Sequence, residues 1–309
     1  MEKNSKIFIA GHRGLVGAAI VSALQNEGFS NLVLKTHAEL DLTNQQAVAD
    51  FFAQEKPEYV FLAAAKVGGI MANKNYPADF IYNNLTIETN VIHNAYVNKV
   101  KKLLFLGSSC IYPRMCQQPI KEEYLLTSEL EPTNKAYALA KIAGIIMCQS
   151  YNEQHGTNFI SLMPTNLYGP HDNFDLDNSH VMPAMIRKFH EAKISNAPQI
   201  SMWGTGVAMR EFLHVDDLAN ASIFLMNNYD DSSIVNVGTG EDVTIKELAE
   251  KIKEIVGYEG EIVWDSTKPD GTPRKLLDVT KLHATGWKHT IPLNEGISST
   301  YAWFKENYK

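Results

Sequence analysis

Three glycines spaced three residues apart, directly after a short apolar run, constrain the fold of this chain more than any other feature. The run Lys6–Ala10 is predicted to be a buried strand, Gly11, Gly14 and Gly17 follow it, and an apolar helix pattern then continues to about Gly28. A strand, a tight turn and a helix N-terminus in this order form the unit that binds the pyrophosphate of a dinucleotide. A glycine turn alone is weak evidence, but its position between a strand and a helix strengthens the prediction.

The alternation of strand and helix continues beyond this turn. Strands are predicted at 31–35, 58–63, 102–107, 158–163 and 201–206, a turn at 236–240, and helices at 43–54, 83–98, 135–155, 181–192 and 293–307, with Thr43 as the N-cap of its helix. This pattern predicts an α/β fold with a doubly wound parallel sheet of the Rossmann type and a smaller C-terminal α/β substrate lobe. We expect 1–165 to be the cofactor domain, rejoined by roughly 207–240, and 166–206 with 241–309 to form mainly the substrate lobe.

One helix carries a pair of side chains suited to proton transfer. Tyr137 and Lys141 are four residues apart and therefore share a helix face. A lysine cation stabilises a phenolate, so we expect Lys141 to lower the pKa of Tyr137 below its usual ~10. Ser108, from another segment, can hold a substrate oxygen against the same phenol. The three residues predict hydride transfer at a carbonyl or alcohol, since that reaction needs a proton to move at the oxygen.

The end of the second predicted strand bears on the choice of cofactor. An NAD site usually has a carboxylate here, to bind the ribose 2′-hydroxyl. In this chain the strand ends in Lys35-Thr36-His37, and Arg13 lies in the glycine turn. Positive groups suit a 2′-phosphate, so the sequence favours NADP(H). The alternative is that Glu39 or Asp41 binds the ribose of NAD from a shifted loop.

Composition limits the other classes of function. The chain has 309 residues, of which 45% are hydrophobic and 20% charged, and its net charge is −7. A negative chain is unsuited to binding nucleic acid or an anionic membrane surface. No apolar run approaches the ~20 residues of a membrane span, and the first apolar run is too short for a secretory signal. Three cysteines, an odd number with no metal-binding spacing, indicate a reducing, cytoplasmic location.

The motifs, taken in order, resemble a known family. Gly11-x-x-Gly14-x-x-Gly17, Ser108, Tyr137 and Lys141 resemble the extended short-chain dehydrogenase/reductases. Further segments narrow the resemblance to members that convert GDP-4-keto-6-deoxy-D-mannose to GDP-L-fucose; they are 63–70, 107–113, 163–173, 179–180, 210–217 and 268–279. The resemblance runs along essentially the whole chain and is most specific at Ser108-Ser-Cys110 and Asn178-Ser-His180. It implies NADPH-dependent 3,5-epimerisation and 4-reduction of a GDP-sugar.

The resemblance also implies roles for individual residues. Inversion at C3 and C5 requires a base on one face of the sugar and an acid on the other. The resemblance makes Cys110 the base and His180 the acid, and it assigns Ser108, Tyr137 and Lys141 to the reduction. A thiol near a cation and an imidazole are chemically suited to these roles. The alternative readings are a small buried cysteine and a surface or packing histidine.

The resemblance further implies the binding residues. Those expected at the cofactor are Gly11, His12, Arg13, Gly14, Leu15, Val16, Gly17, His37, Asp41, Leu42, Ala64, Leu106, Gly107, Ser109, Pro164, Thr165, Asn166, Leu167 and His180. Those expected at the substrate are Lys188, Trp203, Arg210, Asp270 and Lys275. The planar fork of Arg210 suits a diphosphate, and Trp203 could either stack on guanine or fill a core.

This chain departs from the family pattern at two positions. The resemblance also implies an oligomeric state. His37 and Lys188 stand where arginine is usual in the family. The first weakens the preference for NADP, and the second supplies a charge without a bidentate clamp. The family pairs the helices at 83–98 and 135–155 across a two-fold axis, so we expect a homodimer.

Three other functions are compatible with part of this pattern. A 4,6-dehydratase would carry an Asp-Glu pair after the catalytic hydroxyl, where this chain has Cys110-Ile111. A sugar-nucleotide 4-epimerase or 4-reductase needs only Ser108, Tyr137 and Lys141, so Cys110 and His180 argue against it. A non-catalytic NADP-sensing protein on the same fold would typically lack the tyrosine.

Overall fold

The computed structural model describes residues 1–176, 179–268 and 270–308. Its strands are β1 Ile7–Ala10, β2 Leu32–Val33, β3 Tyr59–Leu62, β4 Lys102–Leu106, β5 Phe159–Pro164, β6 Asn166–Tyr168, β7 Gln199–Trp203, β8 Met209–His214, β9 Val235–Val237, β10 Asp242–Thr244, β11 Glu261–Asp265 and β12 Arg274–Lys275. Its α-helices are α1 Leu15–Asn26, α2 Gln45–Glu55, α3 Ile70–Asn75, α4 Pro77–Val97, α5 Lys135–His155, α6 Val181–Ile194, α7 Val215–Asn228, α8 Ile245–Val256, α9 Thr280–Ala284 and α10 Leu293–Asn307.

The main sheet is parallel, which confirms the predicted fold class. Its strand order is β2-β1-β3-β4-β5-β9, and every neighbouring pair runs in the same direction. All residues of β1, β4 and β5 are buried, as expected of strands covered on both faces. Helix α1 packs against α7, and α4 packs against α2 and α5. The carboxyl ends of these strands therefore share one edge, where such sheets bind ligands.

A second group of elements surrounds a separate hydrophobic cluster. Strand β8 pairs with β6, β10 and β12, while β7 pairs with β11. Helices α6, α8 and α10 contribute Phe189, Ile252 and Phe304 to the cluster. The main core includes Leu277 and Trp287, although both lie in the late part of the chain. The exact domain boundaries stay a prediction, and the two clusters support a division into two lobes.

Several elements begin or end away from their predicted positions. The prediction of Thr43 as N-cap is wrong: the side chain of Asn44 accepts a hydrogen bond from the Ala47 N–H at 3.1 Å. The reason is that Asp41 accepts both the N–H and the O–H of Thr43, at 2.9 and 2.7 Å. Because of this turn, the N-cap of the helix is Asn44, one residue later than predicted.

Three further segments differ in length or type. Strand β2 has two residues instead of five. Helix α4 begins at Pro77 instead of 83, with proline in the first turn, where its fixed φ favours a helix. In the segment expected to be a turn, residues up to Val237 complete the edge strand β9 of the main sheet.

Candidate active site

The glycine turn packs so closely that no side chain fits at two of its positions. Gly11 has a φ of +88°, and a Cβ atom there would lie 2.8 Å from the backbone nitrogen of Ala64. A Cβ on Gly17 would lie 2.1 Å from the carbonyl oxygen of Gly11. Helix α1 begins at Leu15 with Gly14 as its N-cap, so no side chain caps it. An uncapped helix N-terminus behind a bare backbone turn fits the pyrophosphate of a dinucleotide.

The loop after β2 uses both of its carboxylates to hold its own turns. Glu39 accepts hydrogen bonds from the N–H and O–H of Thr36 at 2.8 and 2.6 Å, and these bonds lower its pKa. Asp41 is held in the same way by Thr43, which lowers the Asp41 pKa. The His37 side chain is 84% exposed, with Nδ1 3.8 Å from an oxygen of Asp41. The loop therefore exposes the His37 imidazole, while both of its carboxylates are held within its own turns.

The other residues expected at the cofactor lie along the ligand-binding edge of the sheet. Leu42 is buried, and its carbonyl accepts a hydrogen bond from Asn90 at 2.9 Å. Beyond β5, the Thr165 N–H donates to Val237, and the Asn166 amide donates to the carbonyl of Glu211 at 2.8 Å. These bonds fix the segment Pro164–Leu167. The segment begins at the last residue of β5 and joins the two lobes.

Ser108, Cys110 and Tyr137 meet where β4 ends. A short 3₁₀ turn, Ser109–Ile111, follows the strand, and Ser108 caps it by accepting from the Cys110 N–H at 3.2 Å. The Ser108 hydroxyl lies close enough to the side chains of Cys110 and Tyr137 to lower the pKa of each. The structure therefore brings together the three residues that the motifs singled out.

The expectation that Lys141 lowers the pKa of Tyr137 is not met in this structure. Burial raises the pKa of Tyr137, the charges of Cys110 and Glu88 raise it further, and the hydrogen bond with Ser108 opposes them. The Lys141 ammonium lies 5.9 Å from the centre of the Tyr137 ring. Its near partners are the Leu106 carbonyl and Glu88, each at 3.0 Å. Tyr137 is therefore held as a neutral phenol.

Glu88 is a component of the site that the sequence reasoning missed. The side chains of Glu88 and Lys141 are only 1% and 2% exposed. Burial raises the pKa of Glu88, and the Lys141 charge opposes the rise. Gly144 makes room for the pair, because a Cβ there would lie 2.9 Å from Oε2 of Glu88. The available signal was that Glu88 is the only acidic residue between Phe80 and Val97.

Cys110 has a cation as its neighbour. The Lys275 ammonium, on β12, donates to Sγ of Cys110 at 3.4 Å. Burial acts to raise the Cys110 pKa, but the Lys275 charge and hydrogen bonds with Ser108 and Lys275 outweigh it, so that the pKa is lowered. The resemblance assigns Lys275 to the sugar nucleotide, which stays a prediction, and the structure adds a contact with the thiol. A cavity of about 50 Å³ lies beside the two side chains, with Arg114 and Arg274 in its wall.

His180 stands at the N-cap position of α6, and its side chain makes no capping bond. Loss of water around the imidazole lowers its pKa, and the positive charge of Lys275 lowers it further. Lys275 thus acts electrostatically on both Cys110 and His180. Asn178, the first residue of the Asn-Ser-His motif, lies outside the described residues, as does Pro269 of the 268–279 motif.

The residues expected at the sugar nucleotide lie on several elements of the second lobe. Trp203 ends β7 and is 57% exposed, which excludes its use as a core filler. Arg210 is half-buried on β8, donates to the carbonyl of Met209 at 2.7 Å, and has a pKa lowered by burial. Asp270 holds the backbone of Thr205 at 2.6 Å. Lys188 is half-buried on α6. Asp270 therefore shapes the turn after Trp203.

The described residues also bear on metal binding and on membrane insertion. Among the described residues, no group of three or more histidine, cysteine, aspartate or glutamate side chains could hold a metal ion. No helix in that part of the chain has the length and apolar character to cross a membrane. The three cysteines, all within the described ranges, are free thiols.

Comparisons with known proteins agree on one family. Residues 7–238 match the NAD dependent epimerase/dehydratase family. GDP-L-fucose synthase 1 of Arabidopsis thaliana is 63% identical over 306 residues, covering 99% of this chain and 95% of its own. GDP-L-fucose synthase of Escherichia coli is 59% identical over 311 residues, covering 98% of this chain and 97% of its own. Among solved structures, a GDP-mannoheptose C4 reductase from Campylobacter jejuni with NADP bound is 49% identical, with a TM-score of 0.91 and 99% of both chains covered.

Proposed function

This chain belongs to the NAD dependent epimerase/dehydratase family, and we propose that within it the chain acts as a GDP-L-fucose synthase. The reaction is the NADPH-dependent 3,5-epimerisation and 4-reduction of GDP-4-keto-6-deoxy-D-mannose. The observation that carries the proposal is the contact between Lys275 and Cys110 at 3.4 Å, one hydroxyl away from Tyr137. A thiol activated by a cation serves no purpose in a simple reduction, but it supplies the base that epimerisation needs.

The epimerisation uses acidic protons beside the C4 ketone. Cys110, as the thiolate, takes a proton from the carbon, and the electron pair of the C–H bond passes to the C4 oxygen as an enolate. His180, as the imidazolium, returns a proton to the opposite face, so the centre is inverted. Each inversion leaves a thiol and a neutral imidazole, and proton exchange with solvent restores both. Ser108 and Tyr137 donate hydrogen bonds to the oxygen that carries the enolate charge.

The reduction uses the other half of the site. The nicotinamide cofactor, when bound, supplies a hydride to C4. Tyr137 gives its proton to the C4 oxygen, and Ser108 orients that oxygen. Since the pKa of Tyr137 is raised in this structure, the phenol is in the protonated form that a reduction requires.

We propose NADPH as the cofactor. The uncapped N-terminus of α1 and the bare turn at Gly11 would hold the pyrophosphate, and Arg13 and His37 would lie near a 2′-phosphate. The relative from Campylobacter jejuni that was solved with NADP bound supports this choice. Because His37 stands where the family usually has an arginine, whose charge is permanent, the preference for NADPH over NADH should be moderate.

We also propose the binding of the GDP moiety in the second lobe. Arg210 would contact the diphosphate with its planar fork, and Lys188 would add a positive charge. The exposed ring of Trp203 is available to stack on the base. We further propose a homodimer through α4 and α5 and a cytoplasmic location, the latter because a catalytic free thiol needs a reducing compartment.

A second candidate is a C4 reductase of a GDP-sugar that does not epimerise its substrate. The 49% identical relative named as a C4 reductase supports it. The two functions share the hydride chemistry and differ only in the use of Cys110 and His180.

One experiment separates these functions. The purified protein is incubated with NADPH and a panel of 4-keto-6-deoxy sugar nucleotides, and the products are identified by NMR. We expect GDP-L-fucose from GDP-4-keto-6-deoxy-D-mannose. A product reduced at C4 but retaining its C3 and C5 configuration would support the reductase, and oxidation of NADPH with no GDP-sugar in the panel would contradict both.

A further inference from the structure

The segment that carries Lys275 is held in place by side chains of two other segments. Strand β12 has only two residues, and Lys275 at its end pairs with β8. The next residue, Leu276, donates its N–H to Oε1 of Gln118 at 2.8 Å. Leu277 then donates its N–H to Oε2 of Glu211 at 3.0 Å, and backbone hydrogen bonds to the neighbouring loop add to these contacts. The position of Lys275 therefore depends on contacts just beyond its own short strand.

The Glu211 carboxylate is fully buried and bonds to two segments at once. Its Oε1 accepts the N–H groups of Thr239 and Gly240 at 2.6 and 2.7 Å, while its Oε2 accepts that of Leu277. Gly238 leaves the space for it, because a Cβ there would lie 2.2 Å from Oε1. Burial raises the pKa of Glu211, and these hydrogen bonds oppose the rise. An ionised carboxylate only accepts hydrogen bonds, so it suits three converging N–H groups better than an amide would.

Glu211 follows directly after the residue that faces Lys275. In the parallel pairing of β12 with β8, Lys275 is opposite Arg210, and the bond from Leu277 to Glu211 lies just beyond this pair. From that position the Lys275 ammonium donates to Sγ of Cys110 at 3.4 Å. A shift of the segment after β12 would move this ammonium away from the thiol.

Several elements present charged or titratable groups to the Cys110 thiol. They are Lys275 of β12, Glu131 of the loop before α5, Tyr137 of α5, Arg210 of β8, and Arg114 and Arg274 in the wall of the adjacent cavity. Burial and the charge of Glu131 act to raise the pKa of Cys110, and the charge of Lys275 lowers it. Moving Lys275 away should therefore raise this pKa, whereas simple removal of a nearby negative charge would lower it.

We propose that Glu211 is a positioning residue, whose carboxylate holds the segment after β12 so that the Lys275 ammonium stays within hydrogen-bonding distance of the Cys110 thiol. Its contribution to epimerisation rests on the proposed function. Glu211 acts through Lys275 and need not touch the substrate or the cofactor. The alternative is that the carboxylate only joins these segments, which would affect stability and leave the thiol unchanged.

The test measures the ionisation of the thiol without any substrate. The full-length protein is alkylated with iodoacetamide over a range of pH, and the modification of Cys110 is followed by mass spectrometry. Glu211→Gln keeps the shape, but its amide oxygen cannot accept from all three N–H groups. We expect the midpoint of the alkylation profile to rise by about one unit, as for the loss of one nearby cation.

Two further variants show whether Glu211 acts through Lys275. Lys275→Met supplies the reference shift, because it removes the cation itself. The double variant Glu211→Gln/Lys275→Met should shift the midpoint no further than Lys275→Met alone, since the two changes affect the same contact. Additive shifts would contradict the proposal.

The matched control is Asp217→Asn. Asp217 is also a fully buried carboxylate, and it accepts the N–H and O–H of Thr290 at 3.0 and 2.9 Å and the N–H of Ile291 at 2.9 Å. Its replacement should lower the melting temperature, as Glu211→Gln should. It should leave the alkylation midpoint of Cys110 in place, because none of its partners carries Lys275.

The same change should appear in the proposed reaction. The limb of isotope exchange at C3 and C5 that reports the thiolate should move to higher pH in Glu211→Gln by the same amount as the alkylation midpoint. If the wild type neither exchanges nor reduces a GDP-sugar, the proposed function fails, yet the alkylation profile still tests the role of Glu211.

An unchanged alkylation midpoint in Glu211→Gln, with only the melting temperature lowered, would overturn the inference. A lowered midpoint would overturn it as well, because Glu211 would then act on the thiol directly through its charge. If Glu211→Gln does not fold, Glu211→Asp takes its place. That variant withdraws the carboxylate by one methylene and should raise the midpoint by a smaller amount, and an unchanged midpoint would again contradict the proposal.

Discussion

The two side chains that exchange protons in the proposed reaction have different electrostatic surroundings. Lys275 contacts the thiol of Cys110 at 3.4 Å and lowers the pKa of that thiol. Burial, together with the charges of Cys110 and Glu88, raises the pKa of Tyr137. The thiol therefore has a cation beside it, whereas the phenol lies in an apolar setting. This difference matches a site that needs a base at one position and an acid at the other.

Replacing Lys275 should shift the pH profile of epimerisation. Isotope exchange at C3 and C5 requires the thiolate of Cys110 and the imidazolium of His180, so its rate should be bell-shaped in pH. Lys275 lowers both pKa values, and Lys275→Met should raise both. We expect both limbs of the profile to move to higher pH, by about one unit or more for the thiol.

The control for this change is Lys288→Met, which removes an exposed lysine and should leave the profile unchanged. If Lys275→Met slows exchange equally at every pH, then Lys275 binds the substrate and does not activate the thiol.

Arg210→Ala should weaken the binding of the sugar nucleotide more than the binding of the cofactor. A charge-assisted hydrogen bond to a phosphate contributes roughly 1.5–3 kcal/mol, which corresponds to about tenfold to a hundredfold in KM. Steady-state kinetics with each substrate varied in turn measures this split. An effect confined to the KM of NADPH would move Arg210 to the cofactor side of the site.

The motifs predicted part of this site and could not predict the rest. The motif at the glycine-bounded end of a strand and the spacing on a helix were enough to predict Ser108, Cys110 and Tyr137. These residues do meet in the structure. Glu88 could not be identified, because its partner lies on another helix and no local pattern links the two. The contact of Lys275 with Cys110 depends on the parallel pairing of β12 with β8. That pairing brings together segments that are far apart in the chain. The spacing of residues within a motif does not reveal such a pairing.

Among the elements, the turn between β1 and α1 depends most on glycine, which has no side chain. A Cβ on Gly17 would overlap the Gly11 carbonyl at 2.1 Å, whereas the nearest atom to a Cβ on Gly14 is 3.6 Å away. Gly14 has an ordinary φ of −80°. The two glycines therefore serve different purposes, one in packing the helix against the turn and the other in leaving the helix N-terminus open.

Alanine at these two positions should give different results. Gly17→Ala should lower the melting temperature and weaken NADPH binding, because the turn must move. Gly14→Ala should fold with little change in melting temperature, and it should still weaken NADPH binding because the new methyl group lies where the pyrophosphate approaches. Thermal melting and cofactor fluorescence titration measure both effects. Unchanged affinity in Gly14→Ala would mean that the pyrophosphate binds elsewhere.

The limits of the element predictions have local causes. The strands and long helices were located well because their apolar periods are strong, as in β4 and α5. Their ends were not, because capping residues compete: Asp41 holds Thr43, and Asn44 caps α2 in its place. The sequence predicts a turn at 236–240 because turn-forming glycines follow the apolar residues, whereas the short segment Val235–Val237 pairs with β5 as a strand.

At the scale of the whole molecule, the outer surfaces of α4 and α5 expose large apolar side chains. Tyr82 and Val97 on α4 are 67% and 54% exposed, and Leu139 and Ile146 on α5 are 40% and 42% exposed. The two helices pack side by side. An apolar face of this kind is suited to an isologous contact with a second copy of the chain.

A charge on this face should separate the proposed dimer. Ile146→Glu would bury a carboxylate in the contact, so light scattering at micromolar concentration should give the monomer mass of 34.5 kDa. Leu126→Glu, at an exposed leucine outside both helices, is the matched control and should stay dimeric. A wild-type protein that is itself monomeric would refute the assembly.

In the proposed mechanism one pocket carries out epimerisation and reduction with separate side chains, and deuterium exchange separates the two reactions. In heavy water without NADPH, the wild type should exchange deuterium into C3 and C5 of GDP-4-keto-6-deoxy-D-mannose. Cys110→Ser should lose most of this exchange, because a serine hydroxyl is far too weak a base. Tyr137→Phe should retain much of the exchange and lose the reduction. Exchange in Cys110→Ser at the wild-type rate would contradict the account and leave a simple 4-reductase or 4-epimerase.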